Sequence, residues 1–179
     1  MEEKHIHILA VDQARKCGWS VWDYTDKKLI NYGALKYDAS MSFEEMIFRM
    51  TKDLWSIIYD NNVDAVFFED TQYQMNIDSF KKLCWLQGGL ILWLQENDLL
   101  YSIIPPSRWQ GYCNARGRNS SEVKSHIKTA NDTKKKGKAL TIEYVRSQYG
   151  VETEDDNLAD AICIGFYVVN NIALKKGTK

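Results

Sequence analysis

Apolar and polar positions change period several times along the chain. Three short stretches rich in β-branched and aromatic residues, 5–12, 18–24 and 28–36, are split by polar connections, with Asp26-Lys27 as a hairpin turn. They predict a β-meander. From Ser42 the period becomes helical: Ser42 is an N-cap with Glu45 three residues on, and Met46, Met50, Leu54, Ile57 and Ile58 share one face as far as Asn61-Asn62. Residues 63–69 form an apolar run rich in Val and Phe that stops at Glu69-Asp70, as a buried strand with acids at its carboxyl end would. A second helix is expected over 77–97, apolar most of the way round, with Gly88-Gly89 leaving room for another backbone. A fifth strand, 99–104, is stopped by Pro105-Pro106, and Ser107 starts a short helix through Trp109. Residues 111–137 read as a basic mobile segment with one helix in it. Helices over 138–149 and 155–172 follow, divided by Gly150.

Three hairpin-linked strands followed by strand-helix-strand-helix units imply a mixed sheet, the first three strands antiparallel and the last two parallel, with helices on its faces. The class is α/β. With 179 residues and no internal repeat or linker, the expectation is one domain over 1–179. A composition of 45% hydrophobic and 26% charged residues excludes disorder and collagen-like scaffolds. Cys17, Cys84, Cys113 and Cys163 form no C-x-x-C pair, and the opening Met-Glu-Glu-Lys has no apolar stretch of the signal-peptide kind. A cytoplasmic setting is expected. The longest apolar run, 83–94, is interrupted by Gln87-Gly88-Gly89 and is too short to span a bilayer.

The formal net charge of −1 hides a dipole. Between 116 and 138 stand Arg116, Arg118, Lys124, Lys128, Lys134, Lys135, Lys136 and Lys138 against only Glu122 and Asp132. The acidic run Glu152, Glu154, Asp155, Asp156 and Asp160 comes soon after. Such a pair of surfaces would attract a polyanion beside a place suited to divalent cations; a solvated loop beside a solvated helix start is the plainer reading.

Three places present a carboxylate at the end of an element. Asp12 closes the first strand, Glu69 closes the fourth, and Asp160 lies on the last helix, where Asp156 is four residues before it and Asn157 three. If the first and fourth strands are neighbours, Asp12 and Glu69 meet. Oxygen-rich groups brought together without cations raise one another's pKa, so the cluster points to Mg²⁺ or Mn²⁺, and two ions would serve phosphodiester hydrolysis.

Ile-Leu-Ala-Val-Asp-Gln-Ala-Arg-Lys-Cys-Gly-Trp-Ser (8–20), Asp-Ala-Val-Phe-Phe-Glu (64–69) and Asp-Asp-Asn-Leu-Ala-Asp-Ala-Ile (155–162) resemble the three acidic motifs of RuvC-type Holliday-junction resolvases, particularly the phage-encoded branch. The resemblance spans nearly the whole chain. It implies a ribonuclease-H-like fold, a homodimer, paired metal-dependent nicks in four-way or branched DNA, and, for a phage protein, the host bacterial cytoplasm. It also implies that Asp12, Glu69 and Asp160 are catalytic metal ligands, two ions per site, with Asp156 as the fourth by charge and Asn157 as its competitor. Gln13-Ala14 departs from the Pro-Gly of the bacterial branch.

By the same resemblance Tyr73 is a candidate wedge that stacks on an unpaired base, against the alternative of packing on the second helix. Arg108 is a candidate phosphate contact while Trp109 packs in the core. Arg116, Arg118, Lys124, Lys128, Lys134, Lys135, Lys136 and Lys138 become candidate DNA-backbone contacts, Lys138 resembling a Lys that opens the family's penultimate helix. Asp70 points away from Glu69 on its strand. His5 and His7 have no acidic or Cys partner at ligand spacing and read as structural. Two other classes compete. A sugar-kinase-like ATPase would need phosphate-turn glycines and two lobes, so no nucleotide cofactor is expected. A module that binds branched DNA without cutting, or a nuclease of the same fold acting on flaps, forks or RNA-DNA hybrids, stays open.

Overall fold

Strand pairing decides where the acids come to rest. The computed structural model describes residues 5–72, 76–115 and 130–174. Its elements are β1 (His7–Asp12), β2 (Lys16–Asp23), β3 (Lys28–Lys36), α1 (Phe43–Asp60), β4 (Val63–Glu69), α2 (Ile77–Glu96), β5 (Leu100–Ile104), α3 (Pro106–Tyr112), α4 (Ala130–Tyr149) and α5 (Asp156–Asn171). The sheet order is β3-β2-β1-β4-β5. β1 and β2, and β2 and β3, pair antiparallel, whereas β1 and β4, and β4 and β5, pair parallel, as the sequence pattern leads one to expect.

Period-two alternation divides β1 and β4 between two cores. Leu9, Val11, Val66 and Phe68 pack with Met46, Met50, Leu54 and Ile58 of α1 and Leu86, Leu90 and Leu94 of α2. Ile8, Ala10, Ala65 and Phe67 pack with Trp22, Trp109 and the α5 residues Ala159, Ile162, Cys163 and Val168. Each of the larger side chains contributes about 1.5–3 kcal/mol by leaving water. Both helices of the first layer carry a side-chain N-cap, the one at Ser42 as the sequence predicts. Ser42 Oγ accepts the Glu45 N–H at 3.1 Å, and Asn76 Oδ1 accepts from Asp78 and Ser79.

α5 lies close on β2 because two positions lack a side chain. A Cβ at Gly18 would stand 1.9 Å from the carbonyl oxygen of Asn157, and one at Gly165 would stand 2.1 Å from Trp22 Nε1. Between them, Ser20 Oγ donates to the Ala161 carbonyl at 2.8 Å and accepts from Trp22 Nε1 at 3.0 Å. α4 covers α5 from outside.

Several boundaries differ from the sequence reading: β2 starts at Lys16 and not 18, α3 runs on to Tyr112 and does not stop at Trp109, and the largest difference lies at α4. α4 begins at Ala130, not near 138. Lys134, Lys135 and Lys136 look like a solvated loop by charge, yet Lys is a good helix former and only Gly137 speaks against continuity. No helix among the described residues is long and apolar enough to cross a membrane.

Candidate active site

Asp12 follows Ile8 and Ala10 on the α5 side of β1, and Glu69 follows Ala65 and Phe67 on the same side of β4. The parallel register pairs Val11 with Phe68, so the next residues, Asp12 and Glu69, end neighbouring strands side by side. In the antiparallel ladder Asp12 is opposite Gly18, the position over which Asn157 sits. The N-cap Asp155 accepts the Asn157 N–H at 3.2 Å. The helix therefore starts at Asp156, and Asp156 and Asp160 stand one turn apart above the strand ends.

The electrostatics follow from this convergence. Burial pushes the Asp12 carboxyl well above the usual carboxylate range, and the charges of Glu69, Asp160 and Asp156 push it further, in that order, against Lys138. Asp160 is pushed up to about 7, chiefly by burial, with Asp156 adding to the rise and the buried Thr141 hydroxyl and Lys138 opposing it. One oxygen of Asp160, Oδ1, is fully buried with no hydrogen-bond partner. A buried carboxylate oxygen without a donor is costly, and a cation is the usual remedy.

Lys138 supplies part of that positive charge. Its Nζ contacts Asp156 Oδ2 directly, from within α4 and not from its first turn. No three of the four acids bring ligand oxygens within 4.8 Å of one another; among the described residues the one triad that does is His5, Asp23 and Asp26. The donor set nevertheless fits a divalent cation: hard oxygen ligands, carboxyls raised in pKa at Asp12 and Asp160, and an orphaned buried oxygen.

Glu69 is held from three directions. Gln13 Nε2 and Gln87 Nε2 donate to its main-chain carbonyl at 2.6 and 3.2 Å, and Trp109 Nε1 donates to its Oε1 at 2.9 Å. Trp109 packs in the core, as its apolar ring suggests, and also reaches this carboxylate. The sequence carries one cue to this, that Trp109 lies just past the Pro pair ending a strand parallel to β4. Nothing in it pairs Gln13 or Gln87 with Glu69.

The remaining candidates scatter. Arg108 is exposed in the first turn of α3. Asp70 extends the sheet, its N–H donating to the Ile104 carbonyl at 2.9 Å. Tyr73, Arg116, Arg118, Lys124 and Lys128 lie outside the described residues, as do the side chains of Lys134, Lys135 and Lys136. His7 is structural: its Nδ1 meets the Asn61 carbonyl at 2.7 Å. His5 corrects the sequence reading. Hairpin pairing folds Asp23 and Asp26 back to it, with Nδ1 at 2.5 and 3.8 Å from their carboxylates, although both lie far from it along the chain.

No family model matches the chain, and no curated protein matches it. Solved structures do. The chain is similar to RuvC of T. thermophilus in complex with a Holliday-junction substrate, with 15% identity, a TM-score of 0.65, and 91% of this chain and 92% of that one covered. Another structure of the Thermus thermophilus RuvC gives 15% identity and a TM-score of 0.62, over 90% of this chain and 92% of that one. The yeast mitochondrial Holliday junction resolvase Ydc2 gives 14% and 0.53, over 90% and 77%. The fold is therefore the ribonuclease-H-like fold of RuvC.

Proposed function

We propose that the chain is a metal-dependent, structure-selective endonuclease that resolves Holliday junctions and related branched DNA by paired phosphodiester nicks. The observation that carries this reading is the convergence of Asp12, Glu69, Asp156 and Asp160 at the carboxyl ends of β1 and β4 beneath the start of α5. The fold shared with the T. thermophilus RuvC complex supports the same reading.

In this reading Asp12, Glu69, Asp156 and Asp160 hold two divalent ions, Mg²⁺ or Mn²⁺, with Asn157 as an alternative to Asp156. Bound there, the ions would activate water and stabilise the leaving oxygen. The chain's own part is orientation. β1 and β4 fix Asp12 and Glu69, the Asp155 cap fixes the first turn of α5, and Lys138 is a movable cation that can exchange Asp156 for a backbone phosphate. Arg108 and the basic residues Arg116, Arg118, Lys124, Lys128, Lys134, Lys135 and Lys136 would track the DNA backbone, and Tyr73 would stack on an opened base.

Two symmetric cuts call for two active sites, so the protein would act as a homodimer. An exposed stripe on α2 supports this: Ile77, Trp85 and Leu92 are 55%, 60% and 63% exposed, and a Cβ added at Gly88 between them would meet nothing within 4 Å.

The test uses purified protein and its Asp12→Asn variant with end-labelled four-way junction, flap and linear duplex, with and without Mg²⁺ or Mn²⁺. Paired nicks in the junction that need metal and vanish in the variant are expected. Cutting confined to flaps or hybrids would replace the substrate, and junction binding without any cut would replace the enzyme with a binding module.

A further inference from the structure

We propose that Trp109 is a positioning residue for Glu69: its indole N–H sets the orientation of the carboxylate that β4 presents to the acidic cluster. The inference rests on the reading of Glu69 as a metal ligand. Trp109 is 1% exposed and sits in the α5-side core with Cys113, Ala115 and Ile162. A buried indole must place its N–H on an acceptor, and main-chain carbonyls are the common choice. Here the acceptor is Glu69 Oε1 at 2.9 Å, a charged partner 40 residues away. The placement has a cause in the chain. β5 is parallel to β4 with Ile104 opposite Glu69, and Pro105-Pro106 turns the backbone at once into α3, which brings Trp109 back over that strand end.

The brace extends to the main chain. Gln13, the residue after Asp12, is 5% exposed and donates to the Glu69 carbonyl, and so does Gln87, 8% exposed, from α2. With the peptide held by two amides and the side chain by an indole, Glu69 has little freedom of its own. Loss of such an outer contact usually costs about 10–100-fold in metal affinity or activity.

The experiment compares wild type with Trp109→Phe, which keeps most of the ring packing and removes the donor. Three quantities are read: Mn²⁺ affinity by calorimetry, junction affinity in Ca²⁺, and the junction-cutting rate at saturating Mg²⁺. Mn²⁺ affinity or cutting rate is expected to fall about 10–100-fold while junction affinity stays within about twofold. Unchanged metal affinity and rate, with only a lower melting temperature, would reduce Trp109 to a core residue and overturn the proposal. A second arm needs neither metal nor cutting. In a ¹⁵N spectrum of wild type and Glu69→Gln, the Trp109 indole proton is expected to move as its acceptor changes from carboxylate to amide. A resonance that stays in place would overturn the contact. If wild type neither binds Mn²⁺ nor cuts, the nuclease reading fails, and this spectrum still decides whether Trp109 orients Glu69.

Discussion

Asp12 and Gly18 are direct partners in the β1–β2 ladder, and the missing side chain at Gly18 is what lets α5 begin above Asp12. A Cβ there would lie 1.9 Å from the Asn157 carbonyl oxygen and 2.6 Å from the Leu158 nitrogen, both main-chain atoms that cannot rotate away. One glycine thus sets the distance between the strand acids and the helix acids.

Gly18→Ala is therefore expected to destabilise the fold by about 2–4 kcal/mol by overpacking, and to weaken Mn²⁺ binding beyond what lost stability explains. Gly88→Ala is the control. Within a single chain it adds a Cβ that meets nothing within 4 Å in a helix interior, and in monomeric protein it should stabilise by about 0.5–1 kcal/mol. Denaturant unfolding separates the two. A neutral Gly18→Ala would mean that α5 can be lifted without strain.

Asp160 makes stability depend on pH with a defined sign. Its carboxyl titrates near 3.8 when unfolded and is pushed up to about 7 in the fold, so between those values the folded state holds the extra proton. Metal-free protein should lose stability as pH rises from about 4 to 7, on the order of 4 kcal/mol from this group at about 1.4 kcal/mol per pKa unit. Asp160→Asn should flatten that slope and be more stable than wild type at pH 8 in EDTA. Mn²⁺ should raise the melting temperature of wild type more at pH 8 than at pH 5, because ion and proton compete for the same oxygens. An equal metal effect at both pH values would remove Asp160 from the site.

Much of this arrangement was legible in the sequence, and the rest was hidden for physical reasons. β3 and β4 have the bounds that alternation and composition predict, and the Ser42 cap sits where its Glu45 partner indicates. Acids at the ends of two apolar runs could be read as neighbours once those strands are taken as adjacent. What could not be read is contact over long separations. Trp109, whose apolar ring suggests core, and Gln87, a polar interruption of an apolar helix, both reach Glu69 across 18 residues or more, and His5 meets Asp23 because a hairpin register places them together. The start of α4 was obscured by a lysine run that suits loop and helix equally.

Asp156 and Asn157 can be told apart directly. Asp156 raises the pKa of both Asp12 and Asp160, so its charge reaches both carboxyls. Asp156→Asn is expected to lower Mn²⁺ affinity at least tenfold, and Asn157→Ala much less, since the Asn157 main chain and not its side chain is what fits over Gly18. The reverse order in calorimetry would hand the ligand role to Asn157.

Lys138 gives the sharpest test of how the acids are balanced without a metal. Its ammonium group contacts Asp156 and opposes the rise in pKa at Asp12 and Asp160, which is the electrostatic work a divalent ion would do. An ion entering the cluster must displace or outbid this cation, so Lys138→Met should bind Mn²⁺ several-fold more tightly than wild type in the absence of DNA. It should also have a steeper pH dependence of metal-free stability, since both carboxyls then rise further. If Lys138 passes to a phosphate when DNA arrives, the same variant should bind the junction more weakly, with a salt dependence about one unit shallower. A variant with weaker Mn²⁺ binding would show that Lys138 shapes the site and does not compete for it.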